Sequence, residues 1–436
     1  MARRYPVSTE NNANVAFFFL CLYTITIFIR PHEWSLSISQ HFIQYPIARY
    51  FLILSFIGYL FSQRPKIWGP QSWLLLGILI IIPISGLRNG WLGGGITQAQ
   101  NFFIYALLPF LLYAGLLNTK RKQQWVLLIF VSACAIMLHH GFSQFFSPDG
   151  IGWSGQRDIE GRIRYLGFFN DPNDLGMFFV MNIPILFYLK SNTGSRLFKL
   201  IYYGLIIGLV YGIYLTNSRG SLVGLLSLLL LFCYFNYSKI KFFFYVLLSL
   251  PVVILGMSKF RTIDADESSA DGRIQAWYEG IQMFKYRPVF GVGKGEFIEH
   301  HSRTAHNSYV LIMAELGTLG YVLWLSALLL TVLMLFRIFN LNQDKYKDSP
   351  SLLDDIFLAK CLFFSFVGFM TTSFFLSRTY VVFLYIFIGL ACALFYRVHK
   401  EAPEIIDIAS GKNIGKLMLF SLFSLIGLYV IIILLL

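Results

Sequence analysis

Charged residues are scarce in this chain of 436 residues. Asp, Glu, Lys and Arg make up 13% of it, whereas 56% of its residues are hydrophobic. Soluble domains carry about 25% charged residues. A chain of this length with so little charge could not cover a soluble domain with polar surface. The composition therefore excludes a large soluble protein and indicates an integral membrane protein.

Cysteine is also rare, and its placement excludes two kinds of site. The five cysteines are odd in number and all lie inside apolar runs, where a thiol behaves as a small hydrophobe. Neither a disulfide framework nor the paired spacing of a zinc site is present. The first apolar run lacks a small-residue cleavage site, so it is predicted to remain as a membrane span.

Acidic residues are outnumbered by basic ones, 22 to 35, which gives a net charge of +13. Such an excess indicates nucleic-acid binding when it is clustered on one face of a protein. Here the basic residues are spread over many short loops between apolar runs, as membrane topology requires. The sequence therefore predicts contact with membrane lipids and no nucleic-acid partner.

Long apolar runs fill most of the chain, and a helix needs about 20 apolar residues to cross a bilayer. Thirteen runs qualify, of which the first or the last could lie in the interface: 14–30, 46–62, 72–87, 102–118, 124–142, 174–190, 198–215, 220–237, 242–257, 307–336, 356–376, 379–396 and 416–436. They predict an all-α, polytopic helical bundle of 12–13 transmembrane helices, forming a single domain over residues 1–436. One large polar loop, residues 258–306, is predicted as a lid-like insertion between the helices near 242–257 and 307–336.

The loops alternate in charge along the chain. Short loops rich in Lys and Arg, such as 120–122 and 397–400, fall on one side, which the positive-inside rule assigns to the cytoplasm together with the N-terminus. The other loops then face outward, including 143–173, the tight turn at 216–219 and 258–306. Outward loops should be poor in arginine, so the arginines found there need a local reason. A guanidinium is always charged and its fork of donors suits phosphate, so we interpret several of them as an anion site.

The tight turn at residues 216–221 joins two apolar runs and carries one arginine. Thr216, Ser218 and Ser221 can cap the following helix, whose N-terminal amides also favour an anion. Arg219 is therefore predicted to bind an anionic substrate, with Ser218 beside it. The alternative is that Arg219 only snorkels to lipid phosphate.

A second outward pair, Arg162 and Arg164, precedes a polar segment and the next apolar run. Asn173 or Asp174 in that segment is predicted to cap the following helix. Capping does not account for the two arginines upstream. Arg162 and Arg164 are therefore candidates for a second phosphate or glycan contact.

Within the large loop, Ser268 or Ser269 can start a short helix with apolar residues at helical spacing, among them Trp277. This helix is expected to lie in the membrane interface. Arg273 falls in its first turn, where it could meet a lipid-borne phosphate. Pro288 follows the end of the helix.

A glycine-rich run, Gly291-Val292-Gly293-Lys294-Gly295, comes next. Three glycines at alternate positions invite comparison with a nucleotide-binding loop. No strand precedes the run, however, and no helix with the required spacing follows it, which argues against nucleotide binding. We interpret the run as a flexible hinge that lets the loop close over substrate.

His306 stands where the large loop re-enters the membrane, next to Asn307. An unperturbed imidazole has a pKa of about 6.5, so His306 can take a proton from a sugar hydroxyl. The alternative is a polar residue at a helix start that bonds a neighbour. No His-Glu-x-x-His or similar spacing is present, which argues against a metal site. Glu315 is costly in lipid, and we expect it to have an orienting role with Lys360 or Arg378 as its partner.

Five of these motifs occur in a characteristic order, with the long outward loop before His306-Asn307. They are Ser218-Arg219-Gly220, Gly272-Arg273, the run from Arg287 to Gly293, Ala305-His306-Asn307-Ser308-Tyr309 and Glu315-x-Gly317-x-x-Gly320. In this order they resemble the O-antigen ligase and polymerase superfamily of bacterial membrane glycosyltransferases.

The resemblance implies a GT-C-like helical fold in the bacterial inner membrane, with an active site at the periplasmic face. It also implies a donor glycan linked to undecaprenyl diphosphate, and neither a metal nor a nucleotide cofactor. By position, Arg219 and Arg273 would hold the diphosphate, and His306 would contact the acceptor hydroxyl or the leaving phosphate. Further substrate contacts are expected from residues in or near the motifs: Arg162, Arg164, Ser218, Arg287, Lys294 and Asn307.

The sequence does not distinguish between three kinds of acceptor. Ligation to a glycolipid (the lipid A core), polymerisation of glycan repeat units and transfer to a protein hydroxyl share this chemistry. The long loop followed by His-Asn favours a ligase. A transporter of the same glycolipid is the alternative from another class of protein. It would be expected to place charges at mid-membrane and to contain internal repeats, and the sequence has neither.

Overall fold

The fold is seen in a computed structural model, which describes residues 7–34, 46–62, 66, 68–242, 244, 246–248 and 268–435. The first seven helices are α1 (Val7–Phe28), α2 (Ile47–Leu60), α3 (Pro70–Arg88), α4 (Leu92–Phe102), α5 (Leu108–Leu116), α6 (Lys120–Phe146) and α7 (Pro172–Ser191). The others are α8 (Arg196–Leu215), α9 (Arg219–Asn236), α10 (Ser268–Tyr286), α11 (Phe297–His300), α12 (Ser308–Phe339), α13 (Pro350–Ser373), α14 (Val382–His399) and α15 (Gly411–Leu435). A π-helical turn, Phe103–Leu107, joins α4 to α5.

Ten helical segments of the described chain are long and apolar enough to cross a membrane. Two other predicted spans are helical but are not among these ten. They are α2, which has only 14 residues, and α13, which has 24. The predicted span at 242–257 lies mostly outside the described residues. The predicted all-α, polytopic membrane bundle is confirmed, and these three segments account for the difference between ten spans and the predicted 12–13.

Contacts within the chain divide it into two compact units. Unit 1 contains Met1–Pro65, Leu116–Ile263 and Leu353–Thr372. Unit 2 contains Lys66–Gly115, Asp264–Leu352 and Ser373–Leu436. The described part of the large polar loop therefore belongs to unit 2. That the whole chain acts as one domain with residues 258–306 as an insertion stays a prediction.

The core of unit 1 is aromatic and is built around α7, which is buried along most of its length. The ring of Phe28 lies 4.9 Å from that of Phe130 and 5.1 Å from that of Phe178, and Phe178 lies 5.0 Å from Phe169. Ring pairs at 4.5–7 Å add to the energy of burial. This cluster ties α1, α6 and α7 together directly beneath the segment that carries Arg162 and Arg164.

The core of unit 2 is built around α12 and α14. Helix α12 packs against α3, α10, α14 and α15. Helix α14 is buried along nearly its whole length and approaches α5 closely at Gly389. A Cβ at Gly389 would lie 2.9 Å from the carbonyl oxygen of Phe110, so only glycine allows this approach. The long helix that begins two residues after His306 is thus held on several sides.

Helix α12 breaks at Gly317, which has φ 63° and ψ −160°. The amides of Thr318 and Leu319 would normally donate to the carbonyls of Ala314 and Glu315. In the structure they donate instead to two carbonyls of another segment, Pro288 at 2.8 Å and Val289 at 3.3 Å.

The carbonyls released by the break find partners in the same segment. The amide of Val292 donates to Ala314 at 3.0 Å, and that of Gly293 donates to Glu315 at 2.9 Å. Residues 288–293, which we call the docked segment, therefore replace the hydrogen bonds that α12 loses at Gly317. The interpretation of the glycine run as a flexible hinge was wrong, because its backbone is bonded to a transmembrane helix.

Candidate functional site

The predicted site residues fall in both units. Arg162, Arg164, Ser218 and Arg219 lie in unit 1, and the others lie in unit 2: Arg273, Arg287, Lys294, His306 and Asn307.

In unit 1, Arg219 is the first residue of α9, and the turn before it is well ordered by hydrogen bonds. Asn217 has a left-handed backbone with φ 48°, and Ser218 is the N-cap, whose hydroxyl accepts the amide of Ser221 at 3.3 Å. The predicted capping by Ser218 is confirmed. Its side chain is buried and also accepts a hydrogen bond from the Ser221 hydroxyl at 2.9 Å. Substrate binding by Ser218 stays a prediction, and the cap places Arg219 beside the first amides of α9.

Arg162 forms a hydrogen bond to the same turn. Its Nε donates to the carbonyl oxygen of Thr216 at 2.9 Å, and its Nη2 donates to Oδ1 of Asn173 at 3.1 Å. The next amide, that of Ile163, donates to Leu215 at 3.3 Å. The structure therefore brings Arg162 to the turn that carries Arg219 and to the first turn of α7, two places that the sequence did not connect.

Arg164 forms hydrogen bonds within its own loop, residues 143–173. Its Nε donates to the carbonyl oxygen of Arg157 at 2.5 Å, and its Nη1 donates to Oδ1 of Asn170 at 2.8 Å. Burial lowers the pKa of Arg164, and the charge of Asp158 opposes that effect. These bonds favour a structural role for Arg164 over the predicted phosphate or glycan contact, which stays a prediction.

The cap of α7 differs from the prediction. The carboxylate of Asp171 accepts the amide of Asn173 at 2.9 Å, and Pro172 is the first helical residue. The proposal of Asn173 or Asp174 as the cap was therefore wrong by two to three residues. The signal was present in the sequence, since proline is favoured at the first position of a helix and Asp at the position before it.

In unit 2, His306 stands immediately before α12 and has a left-handed backbone with φ 47°. This conformation costs a residue other than glycine roughly 1–2 kcal/mol. Strain of this kind persists only where the surroundings enforce it, and it is concentrated at functional sites. The imidazole is partly exposed at the end of a buried helix, as a group that exchanges protons with a substrate requires.

Asn307 is the N-cap of α12. Its Oδ1 accepts the amides of Tyr309 at 2.9 Å and Val310 at 3.1 Å. The residue is fully buried, and its Nδ2 has no hydrogen-bond partner among the described residues. An unmet buried donor costs about 1–3 kcal/mol. One half of this side chain therefore orders the helix, and the other half is a buried donor without a partner among the described residues.

The start of α12 is also fixed from the chain between α13 and α14. The Ser308 hydroxyl donates to Leu376 at 2.5 Å and accepts the amide of Arg378 at 2.8 Å. The Thr379 hydroxyl donates to the carbonyl of Ser308 at 2.8 Å. Sequence reasoning missed Ser308 and Thr379 because their partners lie about 70 residues apart in the chain. Together these bonds hold the backbone next to His306 in place.

The described part of helix α10 begins at Ser268 and carries Arg273; the predicted start at Ser268 or Ser269 falls at the edge of the described residues and stays a prediction. A Cβ at Gly272 would lie 2.9 Å from Nη1 of Arg303, so a second guanidinium lies against the same turn. Trp277 is buried, with its ring 5.5 Å from that of Phe374, and its expected position at the depth of the lipid headgroups stays a prediction. Helix α10 is thus a packed part of unit 2, and the guanidinium of Arg303 lies against its backbone at Gly272, next to Arg273 in the chain.

Arg287 and Lys294 flank the docked segment. The guanidinium of Arg287 lies 4.6 Å from the ring of Tyr286, and its buried Nε has no partner among the described residues. Nζ of Lys294 donates to Oε1 of Gln98 at 2.6 Å and lies 4.7 Å from the ring centre of Tyr380. Burial lowers the pKa of Lys294, and the charge of Glu315 opposes that effect.

Glu315 is buried at the break in α12. Its Oε1 accepts the amide of Gly295 at 3.0 Å, and its Oε2 has no hydrogen-bond partner among the described residues. The expected orienting role is consistent with this bond. The partner is different, because Gly295 and the charge of Lys294 stand where Lys360 or Arg378 was expected. In the part of the chain that the structure describes, no group of three or more His, Cys, Asp and Glu is arranged to hold a metal ion.

Comparison with known proteins found one family. Residues 204–325 match the family model described as O-antigen ligase. The matched stretch contains Ser218, Arg219, Arg273, His306 and Asn307, and it ends eight residues after Gly317. Arg162 and Arg164 lie before it. No curated protein matches the chain.

Proposed function

Because residues 204–325 support a place for this chain in the O-antigen ligase and polymerase superfamily, we propose that it is a membrane glycosyltransferase. It transfers a glycan from undecaprenyl diphosphate to an acceptor hydroxyl, in the manner of an O-antigen ligase. The chain resides in the bacterial inner membrane with its N-terminus in the cytoplasm and its active site at the periplasmic face. The acceptor is a glycolipid, the lipid A core.

The arrangement of His306 and Asn307 carries this proposal. A partly exposed imidazole in a strained backbone conformation adjoins a buried carboxamide with no acceptor for its Nδ2 among the described residues. A sugar hydroxyl or a phosphate oxygen supplies the missing acceptor. Hydrogen bonds at Ser308 hold the backbone next to His306, and the cap holds the Asn307 carboxamide, which is the preorganisation that catalysis needs.

The proposed reaction is a direct displacement at the anomeric carbon. The acceptor oxygen forms a bond to that carbon while the bond from the carbon to the diphosphate oxygen breaks. The proton of the acceptor hydroxyl passes to the imidazole of His306. The electron pair of the broken bond leaves with the diphosphate, and the configuration at the anomeric carbon is inverted.

Arginines stabilise the leaving group in this reaction. Arg219 and Arg273 are assigned to the diphosphate because a guanidinium keeps its charge and binds phosphate through two donors. Cations placed there stabilise the developing negative charge, as a metal ion does in other transferases. Arg162, Ser218, Arg287, Lys294 and Asn307 are proposed as further substrate contacts, with Arg164 in a supporting position.

Reconstitution tests the proposal. The purified protein, given undecaprenyl-diphosphate-linked glycan and lipid A core in chelator without nucleotide, is expected to form the ligated product. His306→Ala and Arg219→Ala should each lose most of that activity. Two matched controls, His300→Ala and Arg157→Ala, change exposed residues of outward loops and should keep it. If the two site variants were as active as the parent, the assignment of these residues would be wrong.

A deletion strain separates ligation from polymerisation. Unligated, lipid-linked polymer should accumulate if this chain ligates, because the polymer is then made without being transferred. Single repeat units would accumulate if it polymerises. The length distribution of the lipid-linked glycan, read on a gel, distinguishes the two.

A further inference from the structure

A cavity of about 330 Å³ lies within unit 2, between the start of α3, the last turn of α14 and the first turn of α15. This volume falls in the range of small-ligand pockets, about 300–1,000 Å³. The side chains that line the cavity are aromatic or aliphatic, among them Trp68, Pro70, Trp73, Leu74, Tyr396 and Ile414. None of the roles proposed above involves these residues.

The cavity lies at the end of unit 2 opposite to His306. Gln71, which follows the lining residue Pro70, donates a hydrogen bond from its Nε2 to Sδ of Met334 near the end of α12, at 3.0 Å. At 1.5 Å per residue, Met334 lies about 39 Å along α12 from its first residue, Ser308. The hydrocarbon core of a bilayer is about 30 Å thick. The cavity and the site around His306 therefore face opposite leaflets of the membrane.

The aromatic side chains of the cavity carry hydrogen-bond donors that the described residues leave unused. Neither the indole N–H groups of Trp68 and Trp73 nor the hydroxyl of Tyr396 bonds to another described residue. The two indole rings lie 5.4 Å apart at 83°, and the side chains are 45% and 62% exposed. The Tyr396 hydroxyl lies against the backbone of Gly69, where a Cβ would be 2.2 Å from it. Tryptophan and tyrosine placed in this way are typical of the membrane interface, where one end of the ring is apolar and the other is wet.

Basic residues adjoin the cavity in the chain. Among the described residues within four positions of a lining residue, five are lysine or arginine and one, Asp407, is acidic. None of the basic side chains is buried, and they are Lys66, Arg397, Lys400, Lys412 and Lys416. Clusters of lysine and arginine beside membrane helices attract the headgroups of anionic lipids. The local charge therefore favours a ligand that carries a phosphate and a net negative charge.

We propose that this cavity binds one anionic phospholipid of the leaflet opposite to His306, which is the cytoplasmic leaflet in the predicted orientation. An acyl chain covers the apolar walls, and burial of both surfaces stabilises the complex. Ester and phosphate oxygens accept hydrogen bonds from the indole and hydroxyl donors of Trp68, Trp73 and Tyr396. The net negative charge lies beside the basic residues. A water-soluble anion would leave the apolar walls uncovered, and a zwitterionic lipid would bring a cation towards the lysines. The site takes no part in the proposed transfer and does not depend on it.

Native mass spectrometry of the delipidated protein in detergent tests the site, with phosphatidylglycerol or phosphatidylcholine added as the probe. The parent should bind one phosphatidylglycerol at least about tenfold more tightly than phosphatidylcholine, because only the former has a net negative charge. Trp73→Ala should weaken the binding of phosphatidylglycerol at least about fivefold, because it removes part of the apolar wall. Trp125→Ala, which changes a tryptophan of α6 with 51% exposure, is the matched control and should bind as the parent does.

A second pair of variants tests the charge. Lys66→Gln/Lys400→Gln should weaken the binding of phosphatidylglycerol by about tenfold and leave that of phosphatidylcholine unchanged. Lys239→Gln/Lys241→Gln removes two exposed lysines outside unit 2 and should change neither affinity. Thermal unfolding in lipid-free detergent should give the same melting temperature for every variant, since the substituted side chains are exposed.

Three results would overturn the proposal. One is equal affinity of the parent for the two phospholipids, or full binding of phosphatidylglycerol by both Trp73→Ala and Lys66→Gln/Lys400→Gln. Another is an equal loss of binding in the control variants, which would show that lipid binds over the whole membrane surface. The third is displacement of phosphatidylglycerol by an equimolar amount of undecaprenyl phosphate, which would assign the cavity to a carrier lipid. No result of these measurements depends on whether the protein transfers a glycan.

Discussion

Gly291 and Gly317 lie in such close contact that neither can carry a side chain. A Cβ at Gly317 would be 2.7 Å from the amide nitrogen of Gly291, and a Cβ at Gly291 would be 2.2 Å from the carbonyl carbon of Glu315. Both glycines have positive φ, 70° and 63° respectively. This contact joins the docked segment to the break in α12. It places Lys294 beside the same helix whose N-terminus adjoins His306.

The close contact between Gly291 and Gly317 predicts that a methyl group added at either position strongly lowers the stability of the protein. Gly291→Ala or Gly317→Ala should lower the free energy of unfolding by about 2–4 kcal/mol, because each adds left-handed strain and overpacking. Thermal unfolding in detergent measures the change. Gly93→Ala is the control, since a Cβ there meets nothing within 4 Å and alanine favours a helix. Equal melting temperatures for all three variants would show that the docked segment does not depend on this contact.

Glu315 is predicted to act through its acceptor oxygen. Glu315→Ala leaves the buried amide of Gly295 without a partner and should cost about 1–3 kcal/mol of stability. Glu315→Gln keeps an acceptor at Oε1 and should retain most of that stability. Chemical denaturation of the two variants, compared with the parent, measures the difference. If both lost the same amount, the carboxylate charge would matter more than its bond to Gly295.

Substitution of His306 should change the rate of transfer without lowering the stability of the protein. His306→Gly removes the imidazole and relieves the left-handed strain, so transfer should fall by about 10²–10⁴ while the protein is at least as stable as the parent. Added imidazole should restore part of the rate, because it can enter the space left by the side chain and accept the proton. A His306→Gly variant that kept the parent's rate would contradict the assignment of His306 as the base. The rate is measured in the reconstituted transfer assay, and stability is measured by thermal unfolding.

Asn307 caps α12 through Oδ1 and is proposed to contact substrate through Nδ2, and different substitutions remove one or both of these roles. Asn307→Ser keeps an oxygen that can cap α12 but removes the carboxamide N–H groups, so transfer should fall while stability changes little. Asn307→Ala should lose transfer and, in addition, about 1 kcal/mol of stability. Parallel measurements of melting temperature and initial rate check both expectations. A serine variant with full activity would show that the unpartnered Nδ2 does not bind substrate.

Several features could be predicted from the sequence because they depend on neighbouring residues. The membrane helices follow from the length and apolar character of each run. The cap at Ser218 follows from a hydroxyl residue placed before a helical segment. The motifs around Arg219, Arg273 and His306 all lie within the matched family region, residues 204–325.

Other features could not be predicted because their partners are distant in the chain. Gly317 is one small residue within a long apolar run, and no local signal marks it as the place where residues 288–293 bind. Arg162 was predicted to contact a phosphate or a glycan, and its hydrogen bond to Thr216, which is 54 residues away, was not foreseen. The partner of Glu315 was sought at Lys360 or Arg378 because both are charged, whereas the structure provides the backbone amide of Gly295.

The large polar loop shows most clearly which properties the sequence determines and which only the tertiary structure determines. The sequence by itself determined that a polar stretch with arginines and histidines interrupts a membrane bundle and leads to His306-Asn307, because charge and hydropathy are properties of composition. Only the tertiary structure decided that the stretch is anchored. Backbone hydrogen bonds from residues 288–293 fill the break in α12, and such bonds depend on which carbonyls the folded helix leaves without partners.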